Sequence, residues 1–110
     1  MDDEAFDAVL EEVLAELPGN LRSALTRISI FVAESPEPGR QVYGLYQGPP
    51  ALDQHPGELP GMITVFRRPL VRDFGADPAR LRDEIRITLL HEIGHAFGFG
   101  EERLGELGYE

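Results

Sequence analysis

The stretch DPARLRDEIRITLLHEIGHAFG, Asp77 to Gly98, decides the reading of this chain. Asp77 is a good N-cap, and Pro78 suits the first helical position, where a missing N–H costs nothing. From there Leu81, Ile85, Leu89, Ile93 and Phe97 recur at helical spacing to form one apolar ridge. Ile87 and Leu90 widen it until the helix is apolar nearly all round, which predicts a central, buried helix. Within it stands H-E-x-x-H, from His91 to His95. At 100° per residue the two histidines lie about 40° apart on one face, away from the centre of the ridge. One side of the helix is therefore expected to pack on a sheet while the other opens into a cleft.

Two imidazoles one turn apart can grip a single metal ion, and the glutamate between them belongs beside the metal, where a general base for water is needed. Gly98 can adopt the left-handed conformation that ends a helix and reverses the chain. Glu101, three residues on, can then return a carboxylate as third ligand. Two neutral imidazoles, one carboxylate and a water make the open tetrahedral arrangement of catalytic zinc. Glu102 is the competing third ligand, and motif spacing favours Glu101. Shuffling this composition yields H-E-x-x-H in roughly one sequence in a hundred, and requiring Gly98 and an acid at 101 as well makes accident a poor explanation.

Composition bounds the rest. A chain of 110 residues with 42% apolar content is expected to form a single domain over 1–110 around one modest core. The net charge of −10 argues against nucleic acid and against an anionic membrane surface as partners. The absence of cysteine rules out disulfides and thiolate zinc sites, so any zinc must be held by histidine and carboxylate. The acidic start Met1-Asp2-Asp3-Glu4 is the opposite of a secretory leader, and no run of about 18 apolar residues occurs, so a cytoplasmic monomer is expected.

Upstream of the decisive helix, Phe6, Val9, Leu10, Val13, Leu14 and Leu17 predict an N-terminal amphipathic helix over 3–17, ended by Pro18-Gly19, whose role is to cover one face of a sheet. Residues 27–33 read as a buried strand, 41–47 as a weaker one and 62–66 as a third, closed by Arg67-Arg68-Pro69. Pro36, Pro38 and Gly39 mark a turn, and a proline-rich loop spans 48–61. The expected fold is α+β: a small mixed sheet of three to four strands packed against the N-terminal helix and a central H-E-x-x-H helix.

The motif helix resembles that of the zincin metallopeptidases, and H-E-x-x-H-x-x-G-x-x-E resembles the metzincin-type extended motif with an acid in the third-ligand place. Nearly the whole chain is similar to a small bacterial zincin-like metallopeptidase family. Leu17-Pro18 after an acidic helix, Gly44-Leu45-Tyr46-Gln47-Gly48, Ile63-Thr64-Val65-Phe66-Arg67-Arg68-Pro69-Leu70 and Leu90-His91-Glu92-Ile93-Gly94-His95 carry that similarity. The resemblance implies a minimal zincin fold with His91, His95 and an acid near 101 as zinc ligands and Glu92 as base. Both methionines, Met1 and Met62, precede the motif, so the methionine turn of metzincins has no counterpart here.

The expected function is zinc-dependent hydrolysis of peptide bonds in a peptide or unfolded protein, the substrate lying extended along the sheet edge nearest the helix. The alternative is a metal-binding or protein-interaction domain of the same fold with little or no catalytic activity. Secondary candidates are His55 in the proline-rich loop, Tyr43, Tyr46 and Tyr109 as oxyanion donors, Arg67 and Arg68 as carboxylate binders, and Thr88 as an orienting group. For Thr88 a place on the helix surface is an equal reading, and for the others packing, solvation or surface ion pairing is the simpler account.

Overall fold

A computed structural model describes residues 2–48 and 61–97, together with Glu102 and Glu106. Gly98, Glu101, His55, Tyr109 and nearly all of the proline-rich loop lie outside the described residues, so the expectations placed on them concern positions beyond this description.

Helix α1 covers Asp3–Glu16. Asp2 caps it by accepting from the Ala5 N–H at 2.8 Å, and Asp3 and Glu4 add negative charge at the positive end of the helix dipole. A short helix α2, Gly19–Ala24, follows where the sequence suggested only a stop. The Pro18 carbonyl accepts from both Leu21 and Arg22, so Pro18 opens α2 as well as ending α1. A single 3₁₀ turn, Leu25–Arg27, then leads into strand β1, Ile28–Ala33.

Strands β2, Gly44–Gln47, and β3, Gly61–Phe66, complete a three-stranded sheet in the order β1-β3-β2. β3 is central, parallel to β1 and antiparallel to β2. This corrects one expectation: β1 is an edge strand, not a fully buried one. Its Phe31 is 52% exposed, on the face of the sheet shared with Met62 and Thr64. β-Branched and aromatic content cannot distinguish a strand covered on both faces from one covered on a single face.

Arg67-Arg68-Pro69 ends β3 and at once begins helix α3, Arg67–Phe74, which the sequence reading missed. Pro69 is compatible with it because the first turn of a helix has no partners for its N–H groups. One of those orphan donors, the Arg68 N–H, is satisfied by the Glu34 carbonyl at 2.9 Å.

Helix α4, Pro78–Ala96, is the long central helix that the apolar ridge predicted. Asp77 caps it, its Oδ1 accepting from Ala79 and Arg80. Leu81, Ile85, Leu89 and Ile93 are buried, and they meet Phe6, Leu10 and Val13 of α1, Ile63 and Val65 of β3 and Leu70 of α3 in one core. α4 thus lies between the helical layer and one face of the sheet. Arg82 tightens the α1–α4 seam by pairing with Glu12 and Glu16. Among the described residues no helix is long and apolar enough to cross a membrane.

Candidate metal centre and peptide cleft

The face of α4 turned away from the ridge carries the polar residues. Glu84, Thr88, His91, Glu92 and His95 follow one another along it, since steps of three and four residues return to the same side of a helix. Thr88 and Glu92 are each only 7% exposed, so neither is a solvated surface group. For Thr88 this removes the helix-surface reading.

His91 Nε2 and His95 Nε2 stand 3.1 Å apart, with ring planes inclined at 77°. Two ring nitrogens at this distance need something positive between them, either a proton or a metal ion. A zinc ion at the usual 2.0–2.1 Å from both nitrogens would subtend an angle of about 100°, near the tetrahedral value, so the imidazole pair fits a shared cation. Glu92 Oε2 lies 3.8 Å from His91 Nε2, beside the pair and not between them. Among the described residues no group of three histidine or carboxylate side chains could hold a metal. Glu102, which is described, is exposed and does not join the two histidines. Glu101 lies outside the described residues.

The site's opposite wall comes from the start of β2. A cavity of about 200 Å³ is bounded by Tyr43 and Gly44 on that side and by Thr88, His91 and Glu92 on α4. Gly44 is what permits this closeness. A Cβ on it would lie 2.7 Å from Thr88 Cγ2 and 3.3 Å from Glu92 Cγ, so only glycine lets the strand pass directly over the motif. The sequence reading did not single out Gly44 as a site residue, because no local pattern shows which turn of the helix a strand will cross.

Backbone alternation on β2 gives this wall a second property. The Tyr43 carbonyl accepts from the Phe66 N–H at 2.9 Å, and the register pairs Leu45 with Thr64. The main-chain groups of Tyr43, Leu45 and Gln47 therefore face β3, and those of Gly44 and Tyr46 face outward. No strand pairs with this outer edge among the described residues.

Tyr43 is not free to act on a substrate oxygen as it stands. Its hydroxyl donates to Asp73 Oδ2 at 2.6 Å, and its ring packs on Phe74. The bond to Asp73 raises the phenol pKa above its ordinary value, and partial burial adds to the effect. Hydrogen bonds from Arg72 and from Tyr43 hold the Asp73 carboxyl down at about 2. Arg67 is spent structurally. It pairs with Asp3, Asp7 and Glu34 and lies over the Phe6 ring, which bears out surface ion pairing over substrate binding for this residue. Tyr46 packs on the core from the helix-facing side of β2.

A buried helix presenting two convergent imidazoles and an adjacent carboxylate beneath an open strand edge is an arrangement used by metal-dependent hydrolases. The sequence profile of the zincin-like metallopeptidases matches residues 25–109, and the chain belongs to that family, whose members as a rule use zinc. No curated protein matches the sequence.

Proposed function

We propose that this chain is a zinc-dependent peptidase in which His91, His95 and Glu101 hold the metal and Glu92 is the general base. The observation that carries the reading is the 3.1 Å separation of the two imidazole nitrogens with the Glu92 carboxylate 3.8 Å from one of them. Zinc, when bound, supplies the Lewis acidity that acidifies water and polarises a carbonyl. Glu92 accepts the proton of the attacking water and passes it to the departing amine nitrogen, so that water and peptide give one acid and one amine. Its burial beneath β2 keeps that proton from bulk solvent. The outward N–H and C=O groups of Gly44 pair with an extended peptide or unfolded segment, which draws the scissile bond over the motif.

The test is a pair of variants assayed for metal content and for cleavage of a peptide library. Glu92→Gln is expected to retain zinc and lose hydrolysis by at least a hundredfold, in the range that general-base removal produces. His91→Ala is expected to lose both. Zinc retained by wild type without cleavage of any peptide would favour the metal-binding domain instead, and zinc content unchanged in His91→Ala would overturn the metal site itself.

A further inference from the structure

The segment joining β1 to β2 and the adjacent turns of α3 enclose a second, larger cavity of about 530 Å³. Val42 and Tyr43 line both this cavity and the one beside the motif, so the two adjoin at that stretch of chain. The larger cavity differs in charge from the molecule that contains it. Its walls carry Arg40, Arg68 and Arg72 against Glu37 and Asp73, a local positive excess in a chain of net charge −10.

The three arginines are not equally committed. Arg72 is taken up by Asp73, with Nε at 2.8 Å and Nη2 at 3.2 Å from its two oxygens. Asp73 stays ionised to about pH 2 under that hold, so each cancels the other's charge. Arg68 reaches only Glu34, at 3.9 Å, and Glu34 is already the direct partner of Arg67. The Arg40 side chain has no partner among the described residues. Two guanidinium groups are thus left with unspent donors at a concave surface, and a carboxylate is the anion whose geometry the guanidinium fork matches.

The direction of β2 tells which part of a peptide would arrive there. Arg40 to Tyr43 lead into the strand, so the cavity lies at its N-terminal end. A peptide adding to the outer edge in the antiparallel sense, the more stable pairing, runs with its C-terminal side toward Arg40. We propose that this cavity is a subsite for a carboxylate on the C-terminal side of the bond that faces Glu92, carried either by an Asp or Glu side chain or by the chain terminus. The inference rests on the peptidase reading and adds to it the class of substrate.

The test uses the full chain loaded with zinc and sets of labelled peptides of equal length. One set exchanges Asp or Glu for Asn or Gln on the C-terminal side, and another compares free with amidated termini. The carboxylate peptides are expected to be preferred at least fivefold, mainly through KM, with the preference shrinking as salt is raised. Arg40→Gln combined with Arg68→Gln should reduce that preference to less than twofold. Loss of preference on side-chain exchange assigns a side-chain carboxylate, and loss on amidation assigns the terminus. In parallel, fluorescence anisotropy measures binding of the same peptides to Glu92→Gln. If wild type cleaves nothing but that binding prefers carboxylates and depends on the two arginines, the subsite stands and the peptidase reading falls. Binding or cleavage indifferent to carboxylates, a preference that survives the double arginine variant, or no binding at all would overturn the subsite.

Discussion

A methyl group placed on Gly44 would sit 2.7 Å from Cγ2 of Thr88, closer than side-chain carbons approach one another. Thr88 is buried and β-branched on a helix, so it has little freedom to turn away. Gly44→Ala is expected to cost about 1–3 kcal/mol of stability, the usual penalty for overpacking, measured by urea unfolding. Thr88→Ser removes the obstructing methyl, so the double variant should recover much of the loss. Additive losses in that cycle would show that the two residues do not touch.

Asp73 links stability to acidity. Its folded pKa lies at about 2, below the ordinary 3.8, so its contribution is complete above the ordinary value and is lost as pH falls from there through about 2. Asp73→Asn should therefore narrow the fall in Tm across that acid window relative to wild type. An unchanged acid profile would contradict the contact. Tyr43 works in the opposite direction. Its raised pKa stabilises the fold below the ordinary phenol value, and this is lost as pH climbs past the raised one. Tyr43 should then ionise late in an ultraviolet titration, and Asp73→Asn should shorten that lag.

Arg67 gathers three carboxylates from two separate parts of the chain while its own side chain is only 13% exposed. Arg67→Leu leaves Asp3 and Asp7 without that cation and Glu34 with only Arg68, 3.9 Å away. The expected loss is about 2 kcal/mol, less than for a fully buried pair because the acids are more than half exposed. Added salt should restore part of it by screening the repulsion. A variant as stable as wild type at low salt would show the cluster to be neutral.

Zinc should stabilise the folded chain by mass action. At about a hundred times its dissociation constant the gain is about 2.7 kcal/mol, visible as a rise in Tm. His95→Ala should lose the rise. A rise that persists in His95→Ala would place the ion elsewhere.

The parts of this structure that could be read from sequence are those in which a single element carries its own signal. Asp77-Pro78 with Leu81, Ile85, Leu89 and Ile93 announce α4, and the spacing of His91, Glu92 and His95 on it states their common face before any packing is known. Phe6, Leu10 and Val13 do the same for α1. What stayed hidden depends on neighbours. Pro69 looks like a terminator until one sees that the Glu34 carbonyl receives the Arg68 N–H and that a first helical turn asks nothing of Pro69. Phe31 looks like a core residue until the sheet proves to be covered on one face only, its other face exposing Phe31 together with Met62 of the central strand. The importance of Gly44 and the commitment of Tyr43 to Asp73 arise from contacts across the sequence, with Tyr43 and Asp73 30 positions apart. No local pattern encodes them.

His91, Glu92 and His95 all ride on one rigid rod. Sliding or breathing between the layers of the molecule therefore carries them as a unit, and the spacing of the nitrogen pair survives any motion that leaves α4 intact. Gly44 belongs to another layer, so the same motion alters the depth of the cleft above them. Motion between the two layers would vary the room above the motif while both imidazoles keep a common carrier.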